Sequence, residues 1–400
     1  MGNAASLLVL VCVLTFLHFV GAQMRGPIVP LYAAAHGATA TGVGLIVGAH
    51  MAGAAVGSIP LGRAADLWGP RWFLLGGMAI GVATSLLLPL VDRELALMAI
   101  YGLAGLGVAA YTPSALSLVA HATTPARMGR AFAWYSMAHY GAIGLGPFLG
   151  GLAADSWGYR GAFIASAVGI TIALVVGLAT PLGSRRLARP PREATFTDAI
   201  LDTRVWAGWT ISVAGMLGQG VFFTFLPLLA HRRGLSPGAI GVLFLAVGLA
   251  NTLIRAPAGW LVDRTARSMP YAITGILVAS AVTALVPHVE SFAALVAVAA
   301  VLGAVSGIAF VAISVTLAGC ATPSTRGAIM GGYSTSLYLG LALGSFAFGP
   351  VITVAGYAVA FAVAGAAGVM GTLIAAWLYS RPEARGTRAR CPTAKPLTFP

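Results

Sequence analysis

Apolar runs of 18 residues or more, separated by short polar breaks, fill this chain almost from end to end. They fall at roughly 5–33, 41–61, 73–91, 95–120, 131–155 and 161–182. After a polar stretch they resume at roughly 205–230, 237–262, 270–287, 291–319, 327–354 and 357–379. Each run is long enough to cross a hydrocarbon core of about 30 Å as a helix. Strands of a closed barrel would be half as long and would alternate in polarity, which these do not. The pattern predicts an all-α membrane protein with twelve transmembrane helices.

Composition agrees with that reading. Of the 400 residues, 58% are apolar and 8% charged, with a mean hydropathy of +0.91, against about 25% charged residues in soluble domains. The 52 glycines suit close helix–helix approach in lipid. Net charge is +13, but no basic stretch with interleaved aromatics lies outside the apolar runs, so nucleic acid is not a partner. The charge instead sorts by side. With the N-terminus cytoplasmic, inner loops and tail hold seventeen Arg and Lys residues, and outer loops hold only Arg93, Arg160, Arg232 and Arg233. This positive-inside bias puts both termini in the cytoplasm.

Cys12, Cys320 and Cys391 are too scattered for a disulfide framework or a zinc site, and no other metal or cofactor motif is present. At the N-terminus, MGNAAS matches a myristoylation pattern that is short and often met by chance. Residues 7–23 resemble a secretory leader but lack a basic n-region, and the apolar pattern runs on through Pro27 and Pro30. They are read as an uncleaved first helix.

The chain also repeats itself. VPLY (29–32) returns as LPLL (226–229), Gly37 as Gly234, Gly44 as Gly241, and IPLGRAAD (59–66) as APAGWLVD (256–263), all 197 residues on. One residue later in register, TP (124–125) returns as TP (322–323), Tyr135-Ser136 as Tyr333-Ser334, and GYRGAF (158–163) as GYAVAF (356–361). Two six-helix halves in one orientation follow, and parallel repeats of this kind are a feature of transporters with a central site. The expected organisation is a bundle at 1–182, a cytoplasmic linker at 183–204, a second bundle at 205–380 and a disordered tail at 381–400.

GRAADLWGPR (62–71) and its second copy GWLVDR (259–264) resemble the loop motif of the major facilitator superfamily, and the resemblance covers essentially the whole chain. Gly62, Asp66, Gly69 and Arg71 fit the pattern, as do Gly259, Asp263 and Arg264; Leu67 and Pro70 stand where basic residues are usual. The resemblance implies two pseudo-symmetric six-helix bundles, latched at the cytoplasmic side by these loops. GPFLGG (146–151) is similar to the family's helix-five motif associated with antiporters, through Gly146, Pro147, Gly150 and Gly151, although Tyr135 and Ala142 replace two of its glycines. The helix-four arginine of proton-coupled exporters is missing, with Tyr101 in its place.

Ionisable groups at membrane depth are costly and usually functional. No Asp or Glu lies mid-helix. His18, His50 and His139 are candidate proton carriers because imidazole titrates near neutral pH; each could equally be a neutral ring acting as helix–helix glue. Arg25 either binds an anionic group or snorkels to the outer surface, and Arg255 reads as capping structure near the cytoplasmic interface. Gln23, Tyr111, Gln219 and Asn251 complete the pathway candidates.

No nucleotide-binding loop occurs, and no catalytic constellation is expected. The expected function is secondary active transport of a small organic molecule across the inner (plasma) membrane, with proton-coupled efflux leading. The partners are that substrate, protons and membrane lipids, and the working unit is a monomer. A permease or symporter for a small solute or organic anion is the alternative, and a non-transporting membrane receptor a remote one.

Overall fold

The computed structural model describes residues 2–124, 128–180, 202–265, 267–321 and 325–381. The predicted linker (183–201 of it), the tail from 382, Cys391, Arg127 and the TP repeat beyond Thr124 lie outside the described residues. All regular structure within them is helical: α1 (Gly2–Gln23), α2 (Ile28–Ala35), α3 (Ala40–Trp68), α4 (Pro70–Leu87), α5 (Glu94–His121), α6 (Met128–Ala179), α7 (Thr203–Arg232), α8 (Pro237–Thr265), α9 (Ser268–Leu285), α10 (Phe292–Cys320) and α11 (Arg326–Ser380). Ten helical stretches among the described residues are long and apolar enough to cross a membrane.

Two of those ten are double length. α6 has 52 residues and α11 has 55, and each breaks at one glycine, Gly158 (φ 70°, ψ 179°) and Gly356 (φ 83°, ψ 174°). That backbone region is almost closed to residues with a Cβ. Each break separates two segments that are each long enough to cross a membrane. Conversely, the first predicted span is not one helix. It stops at Gln23, turns through Met24–Pro27 and resumes as α2.

Helices α1–α6 pack mainly on one another, as do α7–α11. The first lobe holds two apolar cores, one around Leu14, Met78 and Tyr111 and another around Ile28, Ile46 and Phe163. The second lobe holds two more, around Phe225, Leu243 and Phe361 and around Ile211, Ile276 and Ile313. Two seams join the lobes: α6 against α8, and α3 against α11.

The duplication read from sequence is visible in local geometry. After α2, Gly37 (φ 90°) donates to the Ala34 carbonyl and Ala38 to that of Ala33; after α7, Gly234 (φ 84°) and Leu235 donate to His231 and Ala230. Both are the same left-handed glycine stop, 197 residues apart.

Candidate functional site

A cavity of about 820 Å³ lies between the lobes. Its wall runs from Gln23, Arg25 and Gly26 in mid-molecule to Arg63 and Asp66 at the arginine-rich end, where both side chains are exposed. At the opposite end the lobes meet.

That closure follows the pseudo-symmetry closely. A Cβ on Gly151 of α6 would sit 3.0 Å from Gly238 Cα and against the Pro237 carbonyl oxygen of α8. A Cβ on Gly349 of α11, 198 residues on, would sit 2.7 Å from the Ala40 carbonyl oxygen and 2.8 Å from Thr41 Cα of α3. Residues 40 and 41 are the 197-residue counterparts of 237 and 238. Small residues permit this backbone approach. Beside the first contact, the Asp155 carboxylate accepts from Ser236 Oγ (2.9 Å) and from the Gly238 amide (3.0 Å), capping α8 from the other lobe. Beside the second, Thr41 and Thr353 share a hydroxyl hydrogen bond of 3.1 Å.

The helix-five motif divides between two neighbours. Gly146 faces α1, where a Cβ would fall 2.6 Å from the Val20 carbonyl oxygen, and Gly150 faces Met24 just beyond it. Pro147 lines the cavity, while Gly151 forms the α8 contact.

The predicted pathway residues separate into wall and core. Gln23, Arg25, His50, His139, Gln219 and Asn251 line the cavity. His18 (2% exposed) and Tyr111 (0%) do not: their rings stack at 4.2 Å inside the first lobe, and Tyr111 Oη shares a 3.0 Å hydrogen bond with Thr15 Oγ1. His18 makes no hydrogen bond through either ring nitrogen. His50 stacks on Tyr101 (4.4 Å), its Nδ1 3.1 Å from the Tyr101 carbonyl oxygen. His139 packs edge-on against Phe19 at 4.2 Å, with Nδ1 buried and unpartnered.

The arginines behave differently from a snorkelling side chain. Arg25 is 2% exposed and turns inward to α4, donating from Nη1 to Thr84 Oγ1 (2.9 Å) and the Gly81 carbonyl (3.5 Å) and from Nε to the Ala22 carbonyl (3.3 Å). Arg255 caps no helix end. It donates to Asn251 Oδ1 at 3.0 Å and crosses the seam to lie 3.6 Å from the centre of the Tyr140 ring.

The loop motif is not drawn together. Gly62 and Asp66 line the cavity at its open end, whereas Gly259, Asp263 and Arg264 do not reach it. Gly69 (φ 99°) makes the turn between α3 and α4. Arg71 caps the end of α6 within its own lobe, donating to the carbonyls of Thr180 (2.9 Å) and Leu178 (3.2 Å).

Sequence reasoning overlooked four wall tyrosines acting as a set. Tyr135, Tyr140, Tyr333 and Tyr338 all line the cavity. The signal was present: the 198-residue offset that links Tyr135 to Tyr333 also links Tyr140 to Tyr338. Thr84, the partner of Arg25, carried no such signal.

Two pseudo-symmetric helical lobes around a central cavity, reached from one end and shut at the other, define a multi-pass membrane protein of the transporter class. A profile of the Major Facilitator Superfamily matches residues 11–236 and 208–396, and the chain belongs to that family. It is 24% identical over 366 residues, 90% of this chain and 94% of the other, to an uncharacterized MFS-type transporter of Methanocaldococcus jannaschii. It is 35% identical over 132 residues, 30% of this chain and 23% of the other, to the multidrug resistance protein Stp of Mycobacterium tuberculosis. Among solved structures, a bacterial homolog of the human lysosomal transporter Spinster, inward-facing and unoccupied, superposes with a TM-score of 0.73 at 18% identity, covering 94% of this chain and 96% of that one.

Proposed function

We propose that this protein is a secondary active transporter that carries a small, partly apolar organic molecule across the inner membrane by rocking two bundles, 1–182 and 205–380, about the central cavity. The observation that carries the proposal is the cavity itself: open toward Asp66, shut at Gly151 and Gly349, and walled by both lobes. A pathway that is open at one end only fits alternating access rather than a channel. With the arginine-rich end cytoplasmic, the structure is the inward-open state, and the 62–71 loop is the latch of the opposite state, released here with Asp66 facing the cavity mouth.

Proton-coupled export is the direction we favour. His50 and His139 place imidazoles, the side chains most suited to carrying protons, in the cavity wall, and the partial match to a multidrug resistance protein points the same way. One chain surrounds the cavity, in keeping with a working monomer. The second reading, a permease or symporter for an organic anion, is favoured by Arg25, the charged group deep in the wall.

The test uses purified protein in liposomes loaded with the pH dye pyranine, an imposed proton gradient, and a panel of uncharged, cationic and carboxylate aromatic compounds. Proton-coupled transport predicts that at least one compound dissipates the gradient only when protein is present. Compound flux that is indifferent to the gradient would remove the proton and leave the permease. No flux of any compound would remove transport of this substrate class.

A further inference from the structure

We propose that Arg25 is the anchor for a carboxylate on the transported molecule, which makes the cargo an organic acid with an apolar body. This rests on the transport reading and narrows its substrate class.

Arg25 lies in the Met24–Pro27 break of the first span, and both it and Gly26 line the cavity. Non-helical backbone at membrane depth is tolerated where it is buried in protein or borders a cavity. The guanidinium is buried, and every partner the protein gives it is neutral: the Thr84 hydroxyl and the carbonyls of Gly81 and Ala22. Nη2 has no hydrogen-bond partner among the described residues. Of the acids among the described residues, only Asp66 borders the cavity, and it stands exposed at the mouth. A buried charge without a countercharge is expensive, and the cavity is where a countercharge can arrive. Nη2 can donate to a carboxylate oxygen directly, and the parallel two-bond pairing of guanidinium with carboxylate forms when the long bond to the Gly81 carbonyl (3.5 Å) or to the Ala22 carbonyl (3.3 Å) is exchanged for the incoming anion.

The repeat sharpens the point. The 197-residue counterpart of Arg25 is Phe222, in the unbroken α7, and that of His50 is Val247. The devices that close the cavity come in symmetric pairs, but this charge does not. The same wall offers Phe19, Tyr101, Tyr140 and Phe223 to an apolar body.

Purified full-length protein in nanodiscs is titrated with matched pairs: benzoate and benzamide, 1-naphthoate and 1-naphthamide, cyclohexanecarboxylate and its amide. The expected result is that at least one acid binds about tenfold or more tightly than its amide, the advantage of a hydrogen bond to a charged group. Arg25→Gln should erase that preference while leaving amide affinity in place. Arg25→Lys should keep part of it, since an ammonium lacks the two-pronged geometry. Equal binding of acids and amides, an acid preference that survives in Arg25→Gln, or no binding by any acid would overturn the proposal. If Arg25→Gln does not fold, Arg25→Lys and the unsubstituted protein decide alone. Flux of the same compounds into liposomes is scored separately. Acid-selective binding without flux would end the transport reading and keep the anchor; flux without acid preference would do the reverse.

Discussion

Replacing both Gly151 and Gly349 with alanine puts a methyl group at each point where the lobes close. On Gly349 the added carbon would lie 2.7 Å from the Ala40 carbonyl oxygen and 2.8 Å from Thr41 Cα; on Gly151 it would lie 3.0 Å from Gly238 Cα. Comfortable carbon contacts are at about 3.5–4.0 Å, so each helix pair must part by roughly 0.5–1 Å. Overfilling a packed contact in this way costs about 1–3 kcal/mol. The strain exists only while this end is shut. Each contact therefore moves the equilibrium toward the state with this end open by roughly 5- to 150-fold, and the two together move it at least that far. A cysteine at Ser345, which is 1% exposed one turn from Gly349 and whose carbonyl lies against Gly44 of α3, reports that opening through alkylation by a water-soluble maleimide once Cys12, Cys320 and Cys391 are replaced by alanine. The labelling rate should rise by the same factor. A folded double variant that labels no faster would refute the idea that these glycines hold the end shut.

Other consequences follow from the same geometry. Asp155→Ala removes the cap that one lobe places on α8, should cost about 0.5–2 kcal/mol of the closed contact, and should speed Ser345→Cys labelling as the glycine variants do. Gly158→Ala and Gly356→Ala force a Cβ into a backbone region reserved for glycine, and each should lower the melting temperature through about 1–3 kcal/mol of strain. Gly76→Ala, where a Cβ meets nothing within 4 Å, should be neutral or slightly stabilising because alanine is the better helix former. Tyr111→Phe leaves Thr15 without its partner in the core, so thermal stability should fall by about 1 kcal/mol with transport unchanged; a selective loss of transport would return Tyr111 to the pathway.

Hydropathy made the spans legible because membrane crossing imposes a minimum apolar length that no soluble helix needs. The repeat was legible because each half must satisfy the same packing demands, which is why Gly37 and Gly234 end their helices identically. Side-chain direction was not legible. Helices surrounded by lipid and by other helices are apolar all round, so nothing in the sequence distinguishes the wall histidines His50 and His139 from the core histidine His18. Arg25 is the sharpest case. Its position suggested either an anion site or the outer surface, and the choice depended on the break at Met24–Pro27 and on Thr84, 59 residues away. For Arg71, the loop pattern suggested a contact between halves, whereas the side chain closes the end of α6 in its own lobe.

The central claim is that the two ends of one cavity open by turns. Spin labels placed in pairs on the unsubstituted seal measure this directly, one pair at Trp68 and Trp260 across the open end and one at Arg160 and His231 across the shut end, all exposed positions on opposite lobes. Pulsed dipolar distances in nanodiscs should show two populations at each end, and the fraction with the Arg160–His231 distance lengthened should equal the fraction with the Trp68–Trp260 distance shortened. A single invariant distance at both ends, or lengthening at both ends together, would contradict alternating access.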